Sequence, residues 1–229
     1  MCPAWLGYPK GMARLDPLRT RASSVGGGLL ATATRSVAAV RSARKPLHPR
    51  GVVVPGRIHR TGLAEPTGSP WLDEPGEDEV VVRLSRAVGL PTRLPDIHGL
   101  AIRVLVGETY GDLLFASTGW GRLSRFVLTA GMTVEDRPMT TLLPYRTASG
   151  PVVLGLRSTG TETFELACAR YDGDWRPVGD LRISSVSGPD PDISFDPVRH
   201  QLPGLEQYPS VARLREPAYL RARKSRSPG

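Results

Sequence analysis

The sequence predicts a mainly β fold of the α+β kind: an antiparallel β-barrel with a short N-terminal helix and a C-terminal helix. Three observations predict it. Stretches rich in β-branched residues recur at short intervals between residues 51 and 184. Turn chemistry separates them, as at Ser149-Gly150 and Asp172-Gly173. Glycine (25) and proline (22) are abundant in the 229 residues while aromatic residues make up only 6%, which suits short strands better than a helical bundle.

From the N-terminus, residues 1–24 lack a clear hydrophobic period, and 1–28 read as a basic arm. Small residues dominate from Leu29 to Val40, and the pattern predicts a short helix over about 29–42. Arg44 to Gly51 (RKPLHPRG) is a Pro-bounded extended segment. Strands are predicted at Gly51–Arg60, Glu79–Ala87, Leu100–Val106, Asp112–Ser117, Ser124–Thr129, Val152–Arg157, Glu162–Arg170 and Trp175–Ser184. Some alternate, as Thr163-Phe164-Glu165-Leu166 does; others, such as Val80–Val82, are apolar throughout, as expected where both faces are covered.

Eight short strands fit a closed barrel or a sandwich, and closure is the simpler way to remove edges. Two stretches do not fit as strands: the acidic, Pro-rich 64–78 and the Pro- and Asp-rich 187–210. A helix follows from about Pro209 to Lys224, with Ser210 as its N-cap and arginines suiting the dipole in its last turns. The organisation is thus an arm (1–28), a barrel domain (29–186), and a connection with its helix (187–229).

Charge and composition exclude several classes. With 40% hydrophobic residues the chain can bury a core. It contains no apolar run long enough for a membrane span. Two cysteines, Cys2 and Cys168, cannot build a disulfide scaffold or a four-cysteine zinc site. The net charge of +8 is split: residues 1–50 carry +8, residues 51–210 carry −5 and residues 211–229 carry +5.

Basic ends attract nucleic acid or anionic lipid. They lack the aromatic interleaving and Cys/His framework of a nucleic-acid module, so nucleic acid is not an expected partner. Residues 25–34 resemble a secretory apolar region only superficially, being Gly-rich and broken by Arg35. The expected location is cytoplasmic, and Met12 is an alternative start to Met1.

The common enzyme motifs are absent. The four histidines, His48, His59, His98 and His200, have no zinc-site spacing, and there is no phosphate loop, dinucleotide fingerprint or serine elbow. What remains is an ordered set. His48-Pro49-Arg50-Gly51 precedes the first strand, with Gly56 and Thr61 beyond it. Val82-Arg83-Leu84-Ser85 follows, then Asp96-Ile97-His98-Gly99-Leu100-Ala101-Ile102-Arg103, and nine residues later Asp112-Leu113. Near the C-terminus stands Arg215-Glu216-Pro217-Ala218-Tyr219, with Arg226 seven residues beyond the tyrosine.

These elements, in this order and spacing, resemble the haem catalase superfamily, in particular its smaller catalase-like, peroxidase-type members. The first four lie within about residues 45–118 without large gaps. The resemblance implies a catalase-like barrel binding haem b and acting on hydrogen peroxide or an organic hydroperoxide. It implies that His48 is the distal acid–base group, that Ser85 orients the imidazole, and that Arg83 and Arg226 meet propionates. Tyr219 would ligate the iron as a phenolate, stabilised by the charge of Arg215.

The departures are as informative as the matches. Catalases place an Asn where Ala116 stands in Asp112-Leu113-Leu114-Phe115-Ala116-Ser117-Thr118, and an alanine cannot orient peroxide. Phe115 is expected to add bulk near that pocket, and Ser117 to face the other way. A weak peroxidase therefore fits better than a fast catalase. A haem-free barrel binding a lipid or small apolar ligand is the alternative from a different class. A metal-dependent hydrolase or phosphodiesterase using Asp73, Asp78 or Asp96 is a third, without carboxylate–histidine spacing to support it. The resemblance also leaves room for a homo-oligomer.

Overall fold

The computed structural model describes residues 51–213 and 215. The predicted arm over 1–28, the helix over 29–42, His48, Tyr219 and Arg226 lie outside the described residues. Ten strands are found among them: β1 (Gly51–Arg60), β2 (Gly76–Arg86), β3 (His98–Val106), β4 (Thr109–Ser117), β5 (Met139–Thr140), β6 (Tyr145–Thr147), β7 (Gly150–Gly160), β8 (Thr163–Arg170), β9 (Arg176–Ile183) and β10 (Glu206–Gln207). A four-residue helix, α1 (Pro70–Asp73), lies in the 64–78 excursion.

Eight of these strands close on themselves. The ring runs β1-β2-β3-β4-β5-β7-β8-β9 and returns to β1, each pair antiparallel. Closure leaves no unpaired edge in the ring, and an eight-strand barrel is just wide enough for side chains to fill. They do fill it. Val54 and Ile58 of β1, Val82 and Leu84 of β2, Leu100 and Ile102 of β3, and Leu113 and Phe115 of β4 meet Met139, Leu154, Leu156 and Leu166 in one buried cluster. The predicted barrel is therefore present, and the sandwich is not. β6 and β10 form a side ladder on β7, outside the ring.

The expected strand at Ser124–Thr129 does not form. Ser124–Phe126 is a 3-10 turn, in which Ser124 Oγ accepts the Gly121 N–H at 3.0 Å and the Ser124 carbonyl accepts the Val127 N–H. Phe126 is buried in a second, smaller cluster with Leu143, Val153 and Val211 on the outside of the barrel. The fifth ring strand is instead the two-residue β5, whose Met139 faces the interior opposite Leu156. Two residues are too few to show a period of two.

The C-terminal helix starts at Pro209, as expected, but its N-cap is Tyr208 rather than Ser210. The Tyr208 carbonyl accepts the Ala212 N–H, and Pro209 sits where the first turn needs no donor. Among the described residues no helix is long and apolar enough to cross a membrane.

Buried acids hold the loops. Arg60 pairs with Asp78 at 2.7 Å, and the Trp71 indole N–H donates to the same carboxylate, pinning the 64–78 excursion to the barrel. Asp112, fully buried, takes the Arg103 fork through two 2.8 Å bonds and also accepts the Asp196 N–H. Arg103 donates onward to the Ser194 carbonyl and stacks on Tyr110, so it ties the 187–210 connection to β3 and β4.

Asp96 organises the loop between β2 and β3. Its carboxylate accepts the N–H groups of Val88, Gly89, Leu90 and Ile97. Burial alone would raise its pKa, but these four donors together hold it below the usual value. A depressed carboxylate stabilises the fold above its unfolded pKa, about 3.9, and that stabilisation is lost as pH falls through the folded value. Asp96→Asn is therefore expected to cost about 2 kcal/mol at neutral pH. The difference from wild type should shrink in denaturant unfolding measured below pH 4.

Candidate functional site

Closure fixes which side chains point outward. Gly51, Ser85, Gly99, Ala116, Thr140, Gly155 and Ala167 are directly opposed from strand to strand across β1, β2, β3, β4, β5, β7 and β8. Directly opposed residues share a face. Their sequence neighbours Leu84, Leu100, Phe115, Met139, Leu154, Leu156 and Leu166 are in the core, so this row of small residues faces away from it. A parallel row, Val53, Arg83, Ala101 and Leu114, lies beside it.

The row has two halves. From Thr140 onward it is covered: Trp120 and Trp175 stack at 4.2 Å over Gly155, where an added Cβ would lie 2.7 Å from both rings. Arg125, buried, caps the Trp175 face at 4.4 Å, and burial lowers its pKa. From Gly51 to Ala116 the surface is half-open, with Ser85, Ala101, Leu114 and Ala116 partly exposed.

Arg83 lies at the polar end of this half. Its Nε and Nη2 donate to Asp190 at 3.0 and 3.2 Å, and the Gly51 N–H donates to the same carboxylate at 2.7 Å. Ser85 Oγ donates to the Gly99 carbonyl at 3.4 Å, a long bond. At the other end, Arg215 on the C-terminal helix donates to the Thr141 carbonyl at 3.3 Å, while its Nη1 is buried with no partner among the described residues. Thr141 precedes Leu142, which is held in the left-handed region at φ 59°.

The structure thus places Arg83, Ser85 and Ala116 on one outer face, with Arg215 beyond its β5 edge. Phe115 is corrected: it is a core residue inside the barrel and adds no bulk to this face. Ser117 faces the other way, as expected, accepting the His98 N–H and donating to the Thr129 carbonyl.

The remaining chemical candidates disperse. His98 is buried against the Gly131 carbonyl, His200 hydrogen-bonds the Tyr110 hydroxyl at 3.1 Å with the two rings tilted, and His59 is exposed beside Asp180. Asp73 caps the Thr67–Gly68 turn, and Asp78 and Asp96 are engaged as described. No group of three metal-ligating residues occurs among the described residues. Burial pushes the Cys168 thiol up, which suits a packed side chain rather than a nucleophile. Sequence reasoning missed the Arg83–Asp190 pair and the stacked tryptophans, because their partners are separated by 107 and 55 residues.

No protein-family model matches the chain, and no curated protein resembles it in sequence. Its structure superposes on the crystal structure of a fungal catalase with a TM-score of 0.58 at 13% identity, covering 83% of this chain and 62% of that one. The fold is catalase-like. The chain spans less than two thirds of the catalase it matches. At this identity the likeness establishes the barrel and leaves the chemistry to the residues.

Gly155 offers a direct check on the covered half of the row. Gly155→Ala is expected to cost about 2 kcal/mol by overpacking. Thermal unfolding should show the loss, and tryptophan fluorescence should change with it because the Trp120–Trp175 stack is disturbed.

Proposed function

We propose that this chain binds haem b on the outer barrel face and acts as a weak peroxidase on hydrogen peroxide or organic hydroperoxides. One observation carries the reading. In a catalase-like barrel, Ser85, Gly99 and Ala116 face outward in a single row beside Arg83. Arg83, Ser85 and Gly99 belong to the segments where the sequence resembles haem catalases, and Ala116 is where it departs from them.

The residues present fit such a group. Gly51, Gly99, Ala101 and Ala116 are small residues on this face, beside the larger Val53 and Leu114 and with the Arg83 side chain lying over Gly51, where an added Cβ would meet it at 2.7 Å. The Arg83 fork already grips a carboxylate, that of Asp190, so a propionate would meet a built receptor and displace or share with that acid. Tyr219 would ligate the iron, with Arg215 lowering the phenol's pKa, and Arg226 would meet the second propionate. The buried Nη1 of Arg215 has no partner among the described residues and would donate toward the phenolate.

Bound haem would supply the iron redox chemistry. The chain's own part is proton management. His48 would take a proton from the peroxide and return it to the departing oxygen, and the Ser85 hydroxyl would hold its ring in place. Ala116 offers no amide to orient hydrogen peroxide, so fast disproportionation is not expected. The barrel interior is filled by side chains, so a lipid or small apolar ligand, if the protein is haem-free, would also have to use the outer face.

Hemin titration tests the reading. A Soret band with high-spin tyrosinate charge-transfer bands is expected, Tyr219→Phe should remove or shift it, and Ala116→Asn should raise peroxide disproportionation about tenfold or more. A band unchanged in Tyr219→Phe refutes the ligation. No band at all, together with stoichiometric binding of a fluorescent fatty acid, transfers the face to the haem-free reading.

A further inference from the structure

The loop between β2 and β3 is held rigid and yet presents apolar side chains to water. Residues 88–95 are all exposed. They include Val88 at 57%, Leu90 at 39% and Leu94 at 43% of full exposure, and Met132 at 44% stands on the adjoining loop. That loop is tied in by the Asp96–Gly131 bridge.

This is not slack chain. Asp96 gathers three of the loop's N–H groups, Arg86 donates to the Leu94 and Pro91 carbonyls, and Leu94 N–H closes a turn on Pro91. A buried carboxylate and an arginine thus fix the backbone while three large apolar side chains stay in water. An apolar projection of this kind marks an interaction surface.

Charge selects the occupant. Between Ala87 and Pro95 the one charged residue is Arg93, while Arg86 is engaged by the Asp96 carboxylate at 3.5 Å. The adjoining loop carries Glu135, Asp136 and Arg137, and the Asp136 carboxylate is turned back onto Met132 and Thr133. The first fifty residues, with a charge of +8, join the barrel at Gly51, whose cross-strand partner is Ser85, three residues before Val88. A strongly basic segment is therefore attached at the same end of the barrel as the apolar loop. Nucleic acid would use the arginines and leave Val88, Leu90 and Leu94 without a role. An anionic bilayer uses both, apolar tips below the headgroups and basic residues among them.

We propose that the 88–95 loop docks this protein peripherally onto anionic lipid bilayers. The inference is independent of haem. The full chain should sediment with vesicles of phosphatidylcholine and phosphatidylglycerol in equal parts, not with phosphatidylcholine alone, and less so as salt rises. The double variant Leu90→Ser/Leu94→Ser should bind about tenfold more weakly. Leu105→Ser, also exposed but at the far end of β3 about 23 Å away at 3.3 Å per residue, should bind like wild type. Absence of sedimentation overturns the proposal. So does a double variant that binds as tightly as wild type, which would leave the basic segment acting alone. A change in mass by light scattering when the two leucines are replaced, without lipid, would assign the loop to a second copy of the chain and overturn it as well.

Discussion

Ring closure is the constraint on which the rest depends. Once β1 pairs with both β2 and β9, and β7 with β8, each residue of the ring is committed to one side of a closed wall. The inner side takes the branched and aromatic residues because eight strands leave just enough room for them. The outer side is then free to be specialised. Its seven-residue row of glycine, alanine, serine and threonine is one outcome: partly exposed at Ser85 and Ala116, and sealed by two tryptophans at Gly155.

Several of the residues that carry the resemblance to haem catalases turn out to be scaffold. Asp96 collects the β2–β3 loop, and Arg103 and Asp112 form the buried fork that straps the 187–210 connection across β3 and β4. A chain can keep these residues for folding alone, which is why the likeness to a fungal catalase establishes the barrel and goes no further. Arg83, Ser85 and Arg215 are different. They lie on or beside the outer face; Arg83 also anchors the 187–210 connection through Asp190, whereas the buried Nη1 of Arg215 has no partner among the described residues, so packing gives a weaker account of Arg215.

The sequence made the fold legible wherever strands were long. Gly51–Arg60 is read to the residue because its β-branched run ends at the turn chemistry around Gly62. The 64–78 excursion and the 187–210 connection are legible from proline and acid content except at their ends, where residues 76–78 begin β2 and Glu206–Gln207 form β10. Their anchoring is not legible, since Arg60–Asp78 and Arg83–Asp190 join residues far apart in the chain. The Ser124–Thr129 stretch misleads because Phe126 and Val127 have strand propensity, while burial of Phe126 outside the barrel and the Ser124 turn decide the outcome. At the site, cross-strand register was the missing information: one dimension shows Ser85, Gly99 and Ala116 in three separate motifs, and only pairing shows them in one row.

The central claim is that ligand binds against the outer row, and Ala116→Trp probes it most directly. The side chain points away from the core, so the variant should fold with a melting temperature close to wild type while an indole fills the face. The account predicts that hemin affinity, measured by quenching of intrinsic fluorescence, then falls by about a hundredfold or more, corresponding to about 3 kcal/mol. A stable variant with unaltered affinity would place the ligand elsewhere and contradict the account.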